Sequence, residues 1–271
     1  MGDITQPIIY TQQDFTRAHS GAFASGRVAV FTVRAPGKET VNEDAAALIP
    51  HGMNSGVLVV ADGVGGIRGG DEAAKLAVNA LVAAVRRSEE AEEIALREAI
   101  LDGIEHANQA VIDLGTGAAT TLAVIELQGD TVRPYHVGDS MILVSGQRGK
   151  VKFQSISHSP VGYAVESGLL DEADAIHHEE RHIVSNVVGS PEMRIDIGPA
   201  ITLAHRDTLV LASDGLSDNL YSEEIVERVR KGPLAAATDK LVEACQRQML
   251  SPAEGHPSKP DDLTFILFRL D

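Results

Sequence analysis

The order of strand-like and helix-like segments predicts a layered α+β fold, built as one domain over residues 1–271. Strands, two helices, more strands, two further helices and a closing strand follow one another without strict β–α alternation, which argues against a doubly wound sheet. No linker, repeat or low-complexity tract marks a second domain. Hydrophobic residues make up 44% of the chain, enough for a large core.

In the first half of the chain, periodicity separates short strands from two long helices. Residues 1–24 are weakly patterned, and we expect them to wrap the surface or to add an edge strand. Residues 57–61 are apolar throughout and mostly β-branched, which is typical of a strand buried on both faces. The predicted elements are strands over 27–34, 45–49 and 57–61 and helices over 71–87 and within 88–114.

In the second half, four strands separated by glycine-containing turns predict a β-meander. Residues 159–180 are irregular and acidic and contain two histidines, and they could form a flap beside the site. The predicted elements are the meander strands 119–127, 131–137, 141–145 and 151–156, strands 195–201, 208–213 and 263–270, and helices 222–230 and 233–250.

Composition restricts the partners and the location. The chain has 39 acidic and 23 basic side chains, a formal net charge of -16, so we expect neither nucleic-acid binding nor attachment to an anionic membrane. Its one cysteine, Cys245, cannot form an internal disulfide. Without an apolar signal segment or a membrane-length apolar run, the sequence predicts a cytoplasmic protein.

Three aspartates lie at the ends of strand-like segments, each next to a glycine. Asp62 follows residues 57–61, Asp214 follows residues 209–213, and Asp139 ends a looser version of the pattern. Any one of them could simply cap a turn. Three carboxylates held by one scaffold instead favour a hard-cation site for Mg²⁺ or Mn²⁺.

Six short blocks, in order along the chain, resemble those of the metal-dependent type-2C protein serine/threonine phosphatases. One such block is weak support, but six in order are strong support. The resemblance implies a four-layer α-β-β-α sandwich of two antiparallel sheets flanked by helix pairs. The blocks are 42–44 (Asn-Glu-Asp), 62–66 (Asp-Gly-Val-Gly-Gly), 117–121 (Gly-Ala-Ala-Thr-Thr), 138–140 (Gly-Asp-Ser), 213–218 (Ser-Asp-Gly-Leu-Ser-Asp) and 261–264 (Asp-Asp-Leu-Thr).

The same resemblance implies which residues hold two ions, Mg²⁺ or Mn²⁺. Asp62 would bridge them, the carbonyl of Gly63 would bind one, and Asp214 and Asp261 would complete the ligands of the other. Water activated between the ions would then hydrolyse phosphoserine or phosphothreonine in a protein substrate. The remaining implied residues are Glu43 and Asp44, which would hold water at the ions, Asp139, which would order its neighbours, and Asp113, a candidate for a third ion.

The sequence departs from the family pattern where substrate phosphate is bound. The family usually has an arginine five positions before the motif aspartate, where Glu39 stands here, so Lys38 or Arg34 would have to bind the phosphate. A lysine is a point charge without the planar fork of arginine, so a weaker grip is expected. Three further departures are Val64 in place of histidine, Met141 in place of arginine, and Asp262 in place of asparagine.

Other functions are open at this point. A pseudophosphatase that binds phosphoproteins without turnover is favoured by Glu39 and Val64, while retention of the acidic cluster opposes it. A phosphatase of small metabolites is a third possibility, and a cognate Ser/Thr kinase would be a natural partner. His178 and His182 frame the H-E-x-x-H pattern of zinc peptidases, but the residues that follow do not continue a helix.

Overall fold

The computed structural model describes residues 2–64, 69–91, 94–175 and 177–270. Gly65 and Gly66, the last glycines of the 62–66 block, lie outside these residues. The strands are β1 (Ile8–Thr11), β2 (His19–Phe23), β3 (Gly26–Val33), β4 (Ala45–His51), β5 (Ser55–Ala61), β6 (Leu122–Gln128), β7 (Thr131–Val137), β8 (Met141–Ser145), β9 (Val151–Gln154), β10 (Asp196–Ile197), β11 (Ile201–Thr202), β12 (Thr208–Ala212) and β13 (Leu263–Leu270). The helices are α1 (Gly70–Glu90), α2 (Leu96–Ile112), α3 (Pro160–Glu166), α4 (Glu172–Ala175), α5 (Asp214–Ser217), α6 (Ser222–Val229) and α7 (Leu234–Leu250).

The strands form two antiparallel sheets. The first has the order β1-β4-β5-β6-β7-β10, with β11 also paired to β7, and the second has the order β2-β3-β13-β12-β8-β9. The N-terminal segment contributes β1 to the edge of the first sheet and β2 to the edge of the second.

Apolar side chains fill three layers, which together give the four-layer sandwich. One layer lies between α1, α2 and the first sheet, a middle layer lies between the sheets, and the third lies between the second sheet and α6 and α7. In β5, Val57 and Val59 belong to the outer layer, while Leu58 and Val60 belong to the middle layer. Because both faces of this strand are covered, it is apolar at every position although the sheet is antiparallel. The predicted α+β sandwich is confirmed.

Helices α1 and α2 pack closely against each other. Gly103 of α2 faces α1, where an added Cβ would lie 3.0 Å from Leu81 Cδ2 and 3.1 Å from the Cβ of Ala84. This glycine is unfavourable for an isolated helix but allows the two axes to approach. Among the described residues, no helix combines the length and the apolar character that crossing a bilayer requires.

The predicted β-meander is wrong. Strands β6 and β7 pair in the first sheet, but β8 and β9 lie in the second, so the chain changes sheets at residues 138–140. Gly138 has φ +105°, and a Cβ there would lie 2.6 Å from the Cβ of Thr121. The sharp crossover thus needs a residue without a side chain.

Candidate active site

Strand register brings the predicted acidic residues to one end of the sandwich. Ala45 at the start of β4 pairs with Ala61 at the end of β5, and Ala212 at the end of β12 pairs with Met141 at the start of β8. Phe265, near the start of β13, pairs with Ala212 on its other side. The acids that flank these strand ends are Glu43, Asp44, Asp62, Asp139, Asp214, Asp261 and Asp262.

Hydrogen bonds join the two sheets at this end. The Ser213 hydroxyl, from the second sheet, donates to Asp44 Oδ2 of the first sheet at 2.8 Å, and it accepts from the Thr264 amide at 3.0 Å. The Asp44 amide donates to Asn42 Oδ1 at 3.0 Å. Asp44, Ser213 and Thr264 are buried, so this network fixes the spacing of the two sheets beside the acids.

The 117–121 block holds the backbone of Asp62. Thr120 donates from its hydroxyl to the Asp62 carbonyl at 2.7 Å, and Thr121 Oγ1 accepts from the Asp62 amide at 3.2 Å. Three backbone segments meet at Gly63, where a Cβ would lie 2.5 Å from the carbonyl carbon of Gly70 and 2.8 Å from the carbonyl oxygen of Glu43. Glycine is therefore required at position 63 by close packing.

The carboxylates are close enough to disfavour one another's charge. Burial, then the charges of Asp44 and Asp214, raise the pKa of Asp62 well above its ordinary value. Burial and the charge of Asp218 likewise raise the pKa of Asp214 well above its ordinary value and that of Asp139 to about 6. Such mutual repulsion requires a counter-charge among these side chains.

Two lysines supply positive charge to this cluster. Lys259 Nζ lies 2.6 Å from Asp214 Oδ2, 2.8 Å from Asp261 Oδ2 and 3.2 Å from Asp218 Oδ2. Burial disfavours the charged amine of Lys259, but these three carboxylates outweigh it and raise its pKa. The second amine, Lys38 Nζ, pairs with Glu43 and Asp262.

Comparison with known proteins decides the family. Residues 35–253 match the family described as protein phosphatase 2C. The chain belongs to this family. A relative from Streptococcus pneumoniae, protein phosphatase PhpP, is 32% identical over 213 residues, which cover 76% of this chain and 85% of the relative.

Solved structures of the same fold agree with this protein phosphatase 2C assignment. The crystal structure of serine/threonine phosphatase Stp1 from Staphylococcus aureus has a TM-score of 0.78 and 25% identity, covering 92% of this chain and 96% of that one. The catalytic domain of serine threonine protein phosphatase PstP, in complex with two manganese ions, has a TM-score of 0.70 and 23% identity, covering 90% and 97%. This chain is thus an enzyme, a metal-dependent protein phosphatase, and the comparisons give no support to a pseudophosphatase.

Lys38 and Arg34, the two candidates for phosphate binding, have different surroundings. Lys38 Nζ lies 2.7 Å from Glu43 Oε2 and 2.6 Å from Asp262 Oδ2, at the margin of the acids. Arg34 instead pairs with Asp14 at 3.2 Å. The structure thus brings Lys38, but not Arg34, into contact with the acids of the site.

Three residues predicted for other metal chemistry lie apart from this contact network. Asp113, the candidate for a third ion, is exposed at the end of α2 and accepts a hydrogen bond from the Gln109 amide. His178 and His182 are exposed and lie outside any helix, so the zinc-peptidase geometry is not formed.

The donor set of this phosphatase fits hard divalent ions. Within residues 2–64, 69–91, 94–175 and 177–270, no three acidic, histidine or cysteine side chains already surround a common point at metal-binding distances. The carboxylates around Lys259 instead surround its ammonium group, which is itself a cation. Oxygen donors with excess negative charge are what Mg²⁺ and Mn²⁺ prefer.

Sequence reasoning gave no role to two residues of this cluster. Asp218 lies four residues after Asp214, one turn along α5 and its C-cap, so helical spacing could have indicated that both carboxylates face the same amine. Lys259 stands two positions before Asp261 and is followed by proline. A lysine so close in sequence to a predicted metal ligand could have indicated this contact.

Proposed function

We propose that the acidic residues at this end of the sandwich bind two divalent ions, Mg²⁺ or Mn²⁺, and that the enzyme hydrolyses phosphoserine and phosphothreonine in proteins. The observation that carries the proposal is the convergence of Asp62, Asp214 and Asp261 from distant parts of the chain. Asp214 and Asp261 share one amine, and the Asp214 amide faces Asp62 Oδ2 at 3.4 Å. The number of ions agrees with the two manganese ions of the PstP complex, a protein of similar fold.

Each proposed ligand has its own role in holding the two ions. Asp62 would bridge the ions from the end of β5, the Gly63 carbonyl would bind one, and Asp214 and Asp261 would hold the other. When bound, a pair of divalent ions acidifies water and neutralises phosphate charge. The charge of the ions would also offset the repulsion that raises the pKa values of Asp62 and Asp214.

We propose that Asp44 holds water at the ions. Burial, then the charge of Asp262, raises the pKa of Asp44 to about 7, against hydrogen bonds from Ser213 and Thr264 that lower it. Bound ions would lower this pKa, so that Asp44 would accept hydrogen bonds from the water as a carboxylate. We propose that Glu43 orients water beside it and that Asp139, next to the crossover between sheets, orders the neighbouring acids.

The substrate would enter a cavity of about 320 Å³ beside these acids. Asp139, Asp214 and Asp218 line one side, while α3 and Tyr221 contribute to the rest. The predicted flap contains α3, and we propose that α3 contacts a bound phosphoprotein. We propose that Lys38 contacts the substrate phosphate, with Arg34 as the alternative, and this contact would require Lys38 to exchange a carboxylate partner for the phosphate.

Hydrolysis of an aryl phosphate and of phosphoserine and phosphothreonine peptides tests the proposal. With Mn²⁺ we expect turnover on all three, and Asp62→Asn should abolish turnover and Mn²⁺ binding together. Asp102→Asn, which changes an exposed acid on α2, is the matched control and should keep both. Turnover confined to a small phosphorylated metabolite would favour the metabolite phosphatase, and full activity of Asp62→Asn would refute the ligand assignment.

Three further proposals concern the setting of the enzyme. We propose a cytoplasmic location, which suits the single, unpaired and buried Cys245. We also propose a cognate Ser/Thr kinase that supplies the phosphorylated substrate. A third ion would need a ligand beyond those discussed, for which Asp113 stays the candidate from sequence.

A further inference from the structure

Lys259 places a positive charge among residues proposed to bind a metal. Its Nζ lies within 3.2 Å of carboxylate oxygens from Asp214, Asp218 and Asp261. An ammonium group has three N–H donors, so these contacts can use all of them. Two of the three carboxylates are proposed metal ligands.

The backbone around Lys259 is anchored on both sides. The Lys259 amide donates to Asn219 Oδ1 at 2.9 Å, and Asn219 Nδ2 donates back to the Lys259 carbonyl at 2.8 Å. Asn219 is fully buried and also donates to the Gly215 carbonyl at 2.9 Å. Ser258 donates from its hydroxyl to the Gln248 carbonyl at 2.8 Å. The Cα of Lys259 is therefore fixed, while its side chain, 29% exposed, can leave the acids without unfolding the loop.

We propose that Lys259 is a tethered cation that competes with a divalent ion for Asp214 and Asp261. The inference rests on the ligand set given under the proposed function. Without metal, the ammonium compensates carboxylates that would otherwise repel one another. A divalent ion that binds Asp214 and Asp261 repels the ammonium at contact distance and competes with it for the Oδ2 atoms. Lys259 thus stabilises the metal-free enzyme and weakens its affinity for one ion.

Manganese titration calorimetry of the metal-stripped protein, together with melting temperatures in EDTA and in Mn²⁺, tests this competition. We expect Lys259→Met to raise the Mn²⁺ affinity of one site by about tenfold or more, since a charge at contact distance is removed. The same variant should melt at a lower temperature in EDTA and gain more on adding Mn²⁺ than the wild type. Lys259→Arg keeps the charge and should keep the weaker Mn²⁺ binding.

The matched control is Lys152→Met. Lys152 is 30% exposed and pairs with the buried Asp207. Asp207 lies just before the start of β12, whereas Asp214 follows the end of that strand. This variant loses a comparable ion pair, so it can lower the melting temperature, but it should leave Mn²⁺ affinity unchanged. If Lys259→Met does not fold in EDTA, Lys259→Gln purified in Mn²⁺ and then titrated against a chelator gives the same comparison.

The outcomes separate this inference from the proposed function. Unchanged or weaker Mn²⁺ binding in Lys259→Met overturns the competition, and a raised KM at unchanged Mn²⁺ affinity would make Lys259 a substrate contact instead. If Asp62→Asn still loses Mn²⁺ and activity in either case, the proposed function survives. If Asp62→Asn keeps both, the ligand set itself has failed.

Discussion

Replacing Lys38 by methionine removes the ammonium group that faces the Asp262 carboxylate. The Asp262 side chain is only 4% exposed, and it accepts from Lys38 Nζ at 2.6 Å and from the amides of Ala35 and Glu43 at 2.8 and 2.7 Å. Loss of one partner from a buried ion pair costs about 3–5 kcal/mol. Because two N–H donors remain and Lys38 is itself 19% exposed, we expect a cost below this range, about 2–3 kcal/mol.

Urea unfolding in EDTA measures this cost. Lys38→Met should lower the free energy of unfolding, whereas Asp262→Asn introduced together with it removes the uncompensated charge. The double variant should therefore lose less than the sum of the single variants, by about 1–2 kcal/mol. Additive losses within about 0.5 kcal/mol would refute the reasoning that Lys38 compensates Asp262.

The same variants separate a structural role of Lys38 from substrate binding. If Lys38 also contacts the substrate phosphate, KM should rise in Lys38→Met and stay raised in the double variant, where the uncompensated charge of Asp262 is gone. If KM returns to the wild-type value in the double variant, the phosphate contact has to be assigned elsewhere.

Three further predictions concern a backbone contact, a buried histidine and an exposed sequence match. Gly215→Ala would place a Cβ 2.0 Å from the Asp262 carbonyl oxygen, so we expect the free energy of unfolding to fall by about 3 kcal/mol. Calorimetry should show a melting temperature lower by about 6 °C or more. A change of less than about 2 °C would contradict this clash. Burial, then the charge of His158, lowers the pKa of His136 to about 3 from 6.5, so the unfolded chain binds the proton first and stability is lost as pH falls below 6.5. Between pH 7 and 5 the wild type should lose about 2 kcal/mol more than His136→Asn in urea unfolding, and equal pH slopes would contradict a neutral buried imidazole. Replacing His178 and His182 by alanine should leave metal content and phosphatase activity unchanged, and loss of bound zinc together with activity would revive the peptidase interpretation.

Local sequence patterns predicted most of the secondary structure because burial between the layers determines which positions are apolar. The apolar run of β5 reflects coverage on both faces, and the predicted helix 71–87 lies within α1. The placement of β7 and β8 in different sheets could not be predicted in this way. A glycine-containing turn between two strands is compatible with a hairpin and with a change of sheet. The change of sheet is accompanied here by the close approach of Gly138 to Thr121, a contact between residues distant in sequence that a local pattern does not reveal.

The candidate site was predictable in its residues but not in its counter-charges. Strand-end aspartates were visible because each is followed by glycine or lies in a family block. The substitution of asparagine by Asp262 looked small in the sequence, yet its carboxylate pairs with Lys38. Likewise, the contact of Lys259 with Asp214 joins residues 45 positions apart. Such pairs depend on how loops fold back, which periodicity does not encode.

The two sheets contribute different halves of the acidic site, with Asp62 on the first and Asp214 and Asp261 on the second. Their separation is set by side chains of the middle layer, such as Val60 and Leu211. A cavity introduced there would let the two sheets move relative to each other, and a displacement of about 0.5 Å would change how carboxylates from both sheets meet a bound ion. Under the proposed ligand set, packing between the sheets is thus expected to affect metal affinity as well as stability.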